Sequence, residues 1–403
     1  MYVFLLNVMV MLISGGGLSQ AKILGVMIAY IVLAALFVSY AYTVISRRGR
    51  FSLGAAEICL LLFELLGAVQ ILLSYAGVNR LFDADMYYET SYIPRQAVYL
   101  FVLPAALLFR EKMYVRAKDW LLKHCGEVLF WALYIGEIVF FQGVLLTVVA
   151  VLLLGWLAFR VEPGQRWRKW LMYAAVLLTP MHKDGGSTIL VLRIIFLALC
   201  VIRGKWYRKA LHVMAVGVLA VLIACFFLPF AVKDYGVGDK HTAWRLRMWK
   251  NSVTTLQKTG GLGVGFGTSY PSITFAEESR ARGEWQFAEN SIYSAYDRAF
   301  VTATHNSFIS VAQRMGVPGI ALLLLFLGML YRNLVRHGEP PSKASCFGLF
   351  ASVMSVMFNV GLESPGYLFA FVFLIGECVQ EGKKLAEKSA ETGITGSMGR
   401  ITE

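Results

Sequence analysis

The stretch THNSFISVAQRMGVPGIALLLLFLGMLY, residues 304–331, passes from a polar opening into an unbroken apolar block. Gly316, Pro318 and Gly319 sit at the junction. Proline and glycine break helices, so the stretch predicts a short helix over Asn306–Met315, a turn in the chain, and a membrane span beginning near Val317. His305 stands at the head of that short helix, which makes the position of a single histidine the question that the rest of the sequence has to answer.

The apolar block is one of many. With 58% hydrophobic and only 16% charged residues over 403 positions, the chain has more apolar surface than a water-soluble core can bury, which predicts an all-α, polytopic membrane protein. Apolar runs place twelve spans, at about 2–19, 21–45, 51–76, 95–109, 120–141, 143–159, 169–181, 187–202, 210–232, 317–332, 344–361 and 366–380. The opening MYVFLLNVMV lacks a basic leader and runs into another apolar segment, so it reads as a first helix and not as a signal peptide. The organisation expected is therefore spans 1–9 over 1–232, a large polar loop over 233–316, spans 10–12 over 317–380, and a tail over 381–403.

Charge orients these spans. Basic clusters begin at Arg47, Arg110, Arg160, Arg203 and Arg332, in every second connection, and together with the tail they hold more than half of the 38 Lys and Arg residues. The positive-inside rule makes those connections and both termini cytoplasmic, and the loop over 233–316 extracytoplasmic. The net charge of +13 then reflects topology and anionic lipid, not a nucleic-acid partner. The six cysteines all fall in expected spans with no metal-ligand spacing.

The long loop carries the polar chemistry. On a helical wheel of TAWRLRMWKNSVTTLQ, residues 242–257, Arg245 shares a face with Met248, Trp249, Ser252, Val253 and Leu256, while Arg247 and Lys250 lie opposite. Arg245 is thus either an arginine snorkelling at the membrane surface or one aimed into a pocket where it grips phosphate oxygens. The segment TGGLGVGFG that follows has neither the strand nor the GK[ST] of a nucleotide loop, and its glycines, Gly263 and Gly265 among them, predict close approach of backbone to backbone. On the wheel of the short helix His305 lies with Phe308, Ile309 and Ala312, facing protein. A structural histidine and a general base both fit that placement.

The order R-x3-W, then GLGVGFG, then HNSFISVAQRMGVPG at the head of a span resembles the O-antigen ligase and O-antigen polymerase superfamily of membrane glycosyltransferases. The resemblance implies transfer of a glycan from an undecaprenyl-diphosphate-linked donor to a hydroxyl of a glycan or lipid acceptor, with inversion and without metal or other cofactor. It implies work at the extracytoplasmic face of the bacterial inner membrane. It makes His305 the essential histidine and Arg245 the arginine that binds the donor diphosphate, with Arg247 beside it and Trp249, Asn306, Gly263 and Gly265 in support. A further cation of the family lies in a Ser-Arg-Gly before a span; here the sequence is MHKDGGST, and Lys183 is the nearest candidate.

Other readings compete. A polytopic transporter or a flippase for lipid-linked glycan also has many spans with both ends inside, although no internal repeat is visible. Asp83 and Asp85 form a DxD pair of the kind that holds a divalent cation on phosphate, against the alternative of a solvated turn. Tyr87, Tyr88, Tyr92, Tyr270, Trp285, Tyr293 and Tyr296 predict interfacial anchors in preference to sugar-stacking platforms.

Overall fold

The computed structural model describes residues 42, 54–78, 85–110, 115–116, 119–120, 124, 144–160, 166–178, 186–204, 206–232, 240–284, 295–337, 339–359 and 361–398. The span placed at 2–19 and most of those at 21–45 and 120–141 lie outside these residues. The described chain is helical, with no strand beyond a single antiparallel bridge between Tyr88 and Thr268. The helices are α1 (Ala55–Tyr75), α2 (Ile93–Gln96), α3 (Val98–Val102), α4 (Val144–Ala158), α5 (Arg166–Leu178), α6 (Gly186–Val201), α7 (Trp206–Ala231), α8 (Lys240–Lys258), α9 (Ile273–Ala281), α10 (Ala295–Val301), α11 (Ser307–Val335), α12 (Lys343–Met357) and α13 (Pro365–Met398). A 3₁₀ segment, Leu103–Arg110, prolongs α3.

Three of these, α1, α7 and α11, are long and apolar enough to cross a membrane. Their outward faces show why the chain is a membrane protein. On α1 Leu65 and Leu72 are 62% and 69% exposed, and on α7 Val213 and Phe227 are 71% and 69% exposed. Apolar side chains left bare in rows along a helix belong against lipid. The shorter helices α4, α5, α6 and α12 and the 93–110 segment begin and end within about four residues of the spans placed from the sequence.

The packing is built around α11 and α12. The first lies along α1; the second lies between α13, α6 and α4, while α7 touches both α8 and α12. Aromatic rings fill the interior of this bundle: Phe196 meets Phe159, Tyr173 and Phe347 at 4.9–5.8 Å between centroids, and Trp156 meets Phe373 edge-on at 5.0 Å.

Two boundaries differ from the sequence reading. The expected tail over 381–403 is largely helical, because α13 runs on to Met398. Its Leu-Ala-Glu-Lys composition favours helix, and Lys383–Glu387 at 3.8 Å and Lys388–Glu339 at 2.5 Å brace it. The helix at residues 307–335 is two helices joined at a kink, since Gly316 takes φ 72°, ψ −172°. The break expected from Gly-Pro-Gly thus falls on the first glycine, and Pro318 follows at the start of the next turn, where its missing N–H is harmless.

The two ends of the bundle differ chemically. At one end Arg160 pairs with Glu377 at 3.3 Å, Lys343 donates to the carbonyls of Leu199 and Ile202 that finish α6, and Arg208 donates to His337 O. Trp167, Trp170 and Trp206 are exposed there, beside the basic residues that open α5 and α7, as interfacial anchors are. At the other end the C-terminus of α1, the 85–96 segment, the N-terminus of α6, the loop over 259–272, the head of α11 and the 358–364 turn all meet.

Candidate functional site

That second end is organised by backbone contact. The glycine-rich loop crosses the break in α11: Val264 N and Gly265 N donate to Gln313 O and Arg314 O at 2.8 and 3.0 Å, and Val317 N donates back to Gly261 O at 2.7 Å. These bonds satisfy carbonyls and an amide that the break would leave without helical partners. The approach leaves no room for a side chain. A Cβ on Gly263 would lie 2.6 Å from Gly316 N, one on Gly316 would lie 2.6 Å from Leu262 C, and both residues have φ above 70°.

The loop's other side lies on the 85–96 segment. Glu89 N donates to Gly267 O at 2.7 Å and Ser269 N to Tyr87 O at 2.9 Å, while Gln96 both donates to Thr268 O and accepts from Gly267 N. Phe266 N reaches Ser74 Oγ at the end of α1, 2.9 Å away. Asp85 belongs to this junction: its Oδ1 accepts from Thr274 N and Oγ1, both at 2.9 Å, at the start of α9. Its carboxylate therefore ties two loops together; Asp83 lies outside the described residues.

The tyrosines are part of the same clasp. Tyr88 OH donates to Ser74 O, Tyr296 OH reaches Tyr88 O and Glu89 Oε2, and Tyr92 stacks on Phe300 at 4.2 Å. Tyr270 is 4% exposed. Trp285 and Tyr293 lie outside the described residues.

His305 sits where α8 meets the head of α11. Asn306, not His305, opens the helix: its Oδ1 accepts from Phe308 N at 3.0 Å and Ile309 N at 3.1 Å, an N-cap worth roughly 0.5–2 kcal/mol. His305 therefore precedes the helix and has no place on its wheel, which corrects the orientation expected from Phe308, Ile309 and Ala312. Its φ is +53°, the sole positive value at a non-glycine among the described residues. A left-handed histidine is held against about 1–3 kcal/mol of strain, and such strain gathers at functional positions. Two tryptophans of α8 hold it: Trp244 stands edge-on to the His305 ring at 5.9 Å, and Trp249 Nε1 donates to Thr304 O at 2.7 Å.

Helix α8 turns its apolar face inward as its periodicity predicts. Trp244, Met248, Trp249, Ser252, Val253 and Leu256 are buried, and Arg245, one residue from the ring contact to His305, is half-buried. The fold thus brings Trp244, Trp249, His305 and Asn306 together, with Arg245 next to Trp244 on α8. Arg247 lies off that face and is engaged elsewhere, 2.5 Å from Glu284. Lys183 lies outside the described residues; Thr188, in the first turns of the helix that follows it, accepts from Asn359 Nδ2 at 3.0 Å.

The sequence reading missed a layer beneath His305. Arg314, fully buried, places its guanidinium 4.6 Å over the Tyr270 ring and donates to Thr268 Oγ1 and to the carbonyl of Gly265. Gln313 Nε2 donates to Tyr270 O at 2.8 Å, and Tyr270 OH donates to Glu363 Oε2 at 2.6 Å. Burial pushes the Glu363 carboxyl above the usual carboxylate range, against the opposing pull of Arg314. Its burial, with Glu363 beside it, likewise holds the Tyr270 phenol well above its ordinary value. The signal was present: Arg314 is a charge inside a hydrophobic helix, and such charges are paired or functional.

Comparison with known families finds that residues 170–324 match the family described as O-antigen ligase. The match runs from α5 through the loop and across the break in α11, so it contains Arg245, the glycine loop, His305 and Arg314. Comparison with curated proteins gives no match.

Proposed function

We propose, from the premise that residues 170–324 place the chain in the O-antigen ligase superfamily, that this membrane protein is an inverting glycosyltransferase of cell-surface polysaccharide synthesis. The donor is a glycan on undecaprenyl diphosphate and the acceptor is a hydroxyl of a second glycan or of a lipid. The observation that carries the reading is the left-handed His305 held against Trp244 of α8, the helix that bears Arg245, inside the matched segment.

The roles follow from the bonds that change. A neutral His305 imidazole takes the proton of the acceptor hydroxyl as its oxygen forms a bond to the anomeric carbon. The anomeric C–O bond to the lipid diphosphate breaks on the opposite face, which inverts the centre. The departing diphosphate gathers negative charge, and Arg245 is the guanidinium placed to meet it, at a lipid boundary where such pairing is strong. Lys183 and Arg247 are the further cations of the reading, the latter drawing on a charge it now shares with Glu284. Trp249 and Asn306 fix the chain on either side of His305, and Gly263 and Gly265 allow the clasp beneath it.

The reaction then belongs on the outer face of the bacterial inner membrane. The basic residues at the opposite end of the bundle support that orientation. The test is genetic and chemical together. His305→Ala and Arg245→Ala are each expected to abolish high-molecular-weight surface polysaccharide while the protein still reaches the membrane; normal polysaccharide in both overturns the proposal. A deletion strain then separates two forms of the activity. Single repeats still attached to their acceptor indicate a polymerase, and complete lipid-linked polymer left unattached indicates a ligase. Reconstitution in liposomes excludes a flippase if donor is consumed into longer glycan, and favours one if donor is moved unaltered.

A further inference from the structure

Beyond the residues that meet substrate, we infer that Glu363 is a positioning residue for His305, acting through Tyr270, which packs with the Trp244 that meets the His305 ring, and through the turn fastened to Ser307. The inference rests on the proposed role of His305 but its geometry stands alone.

Tyr270 and the head of α11 both hold the segment that carries this carboxylate. Tyr270, from the glycine loop, donates its hydroxyl to Glu363 Oε2 at 2.6 Å. Ser310, from the first turns of α11, holds its Oγ 2.7 Å from Thr304 Oγ1. Thr304 is the residue before His305, and its hydroxyl also bonds Asn306 O at 2.9 Å, so it brackets the histidine on both sides. The turn that carries Glu363 is fastened to the same helix end, because Ser307 Oγ donates to Asn359 O and accepts from Leu362 N, both at 3.1 Å. A left-handed histidine stays in place only if its surroundings over-determine it, and these are the surroundings.

The charge is matched as well as the geometry. Arg314 is buried beside Tyr270, with Nε and Nη2 lacking hydrogen-bond partners, and Glu363 Oε1 is likewise buried without one. A buried arginine and a buried carboxylate that share a tyrosine neutralise each other across it, and removing one leaves the other uncompensated. The groups facing Glu363 are Arg314 of α11, Tyr270 of the loop and Arg95 of α2, with Tyr99 of α3 feeling its charge in turn. The cations among them act to keep the carboxylate ionised; burial acts the other way.

The sign of the pH effect follows. Because the folded protein holds the Glu363 proton more tightly than the unfolded chain does, ionising this group lowers folding stability as pH rises from the ordinary carboxylate range to its raised value. Acidification through that window therefore removes the positioning charge while this group's contribution to stability increases. Loss of activity there is distinct from acid unfolding.

The experiment uses the full chain in detergent or liposomes with three variants: Glu363→Gln, Tyr270→Phe and Arg314→Met combined with Glu363→Gln. Diethyl pyrocarbonate, which acylates accessible neutral imidazole, is followed at His305 by peptide mass spectrometry, and glycan transfer is followed with lipid-linked glycan extracted from the producing cells. Glu363→Gln is expected to lower kcat on the order of 100-fold, the scale of a misplacement near 1 Å, with KM little changed and the acidic limb of the pH profile lost. Its His305 acylation rate changes severalfold, and Tyr270→Phe, which removes one oxygen, moves both readouts in the same direction by less. The double variant removes the uncompensated arginine, so recovery of its fold without recovery of kcat supports positioning. Wild-type kcat and His305 acylation in folded Glu363→Gln overturn the inference. If no transfer occurs even in the wild type, the proposed function fails, and the acylation rates still decide the role of Glu363.

Discussion

The clasp between the glycine loop and the break in α11 makes a graded prediction with a built-in control. Gly260, Gly263 and Gly316 all have positive φ, at +61°, +81° and +72°. An alanine at any of them meets a positive-φ penalty of roughly 1–3 kcal/mol. At Gly260 nothing lies within 4 Å of the added Cβ, so the penalty ends there. At Gly263 the Cβ falls 2.6 Å from Gly316 N and 2.7 Å from Arg314 O, and these are backbone atoms that cannot rotate away. Overpacking of this kind adds about 1–3 kcal/mol. The ratio of closed to open clasp should therefore fall roughly 5- to 150-fold further in Gly263→Ala and Gly316→Ala than in Gly260→Ala. Hydrogen exchange reads this directly at the amides of Val264, Gly265 and Val317, which donate across the clasp, because their protection reports local opening. Equal protection in Gly260→Ala and Gly316→Ala would refute the claim that backbone approach, and not conformation alone, demands glycine here.

Other expectations concern the site itself. His305→Asn keeps a residue type that tolerates left-handed backbone, so it should retain the thermal stability of the wild type while losing about 10²–10⁴ in transfer rate, measured with extracted lipid-linked glycan. Arg245→Lys keeps the charge but not the planar fork, and should lose more in donor KM than in expression or folding, with Arg245→Ala inactive. Trp249→Phe leaves the buried Thr304 carbonyl without its donor, a loss of about 1–3 kcal/mol that should appear as a lower melting temperature together with lower activity. Arg247→Ala, which breaks a pair with Glu284, should leave substantial activity; complete loss would promote Arg247 to a direct ligand of donor.

What the sequence made legible follows the range of the signals. Periodicity and apolar runs are local, so α1, α4, α6, α7 and the inward face of α8 could be placed from composition alone. Gly-Pro-Gly is local too, and the break at Gly316 follows from it. Orientation of His305 was not legible, because it depends on whether Asn306 or His305 caps the helix, a contest decided by one side-chain oxygen. The bonds of the loop tyrosines were not legible for a similar reason: a phenol at a loop surface looks the same in sequence whether it meets lipid or Ser74 O. The partnership of Tyr270 with Glu363 spans 93 residues, and no pattern of spacing reports a contact that only tertiary packing creates.

The hydrogen bonds of Ser307 and Tyr270 to the 358–364 turn carry a consequence for biosynthesis. A chain emerging from the ribosome exposes His305 some 50 residues before it exposes Asn359 and Glu363, and domains of nascent chains fold as their partners become available. The helix that bears the histidine can enter the membrane early, held by the tryptophans of α8, but the strained backbone at its head lacks its fastening to Asn359 and Leu362 until the turn between α12 and α13 has been made. Activity should thus await insertion of α13, and a nascent transferase stalled before α13 should sit in the membrane with its lipid-linked substrate untouched.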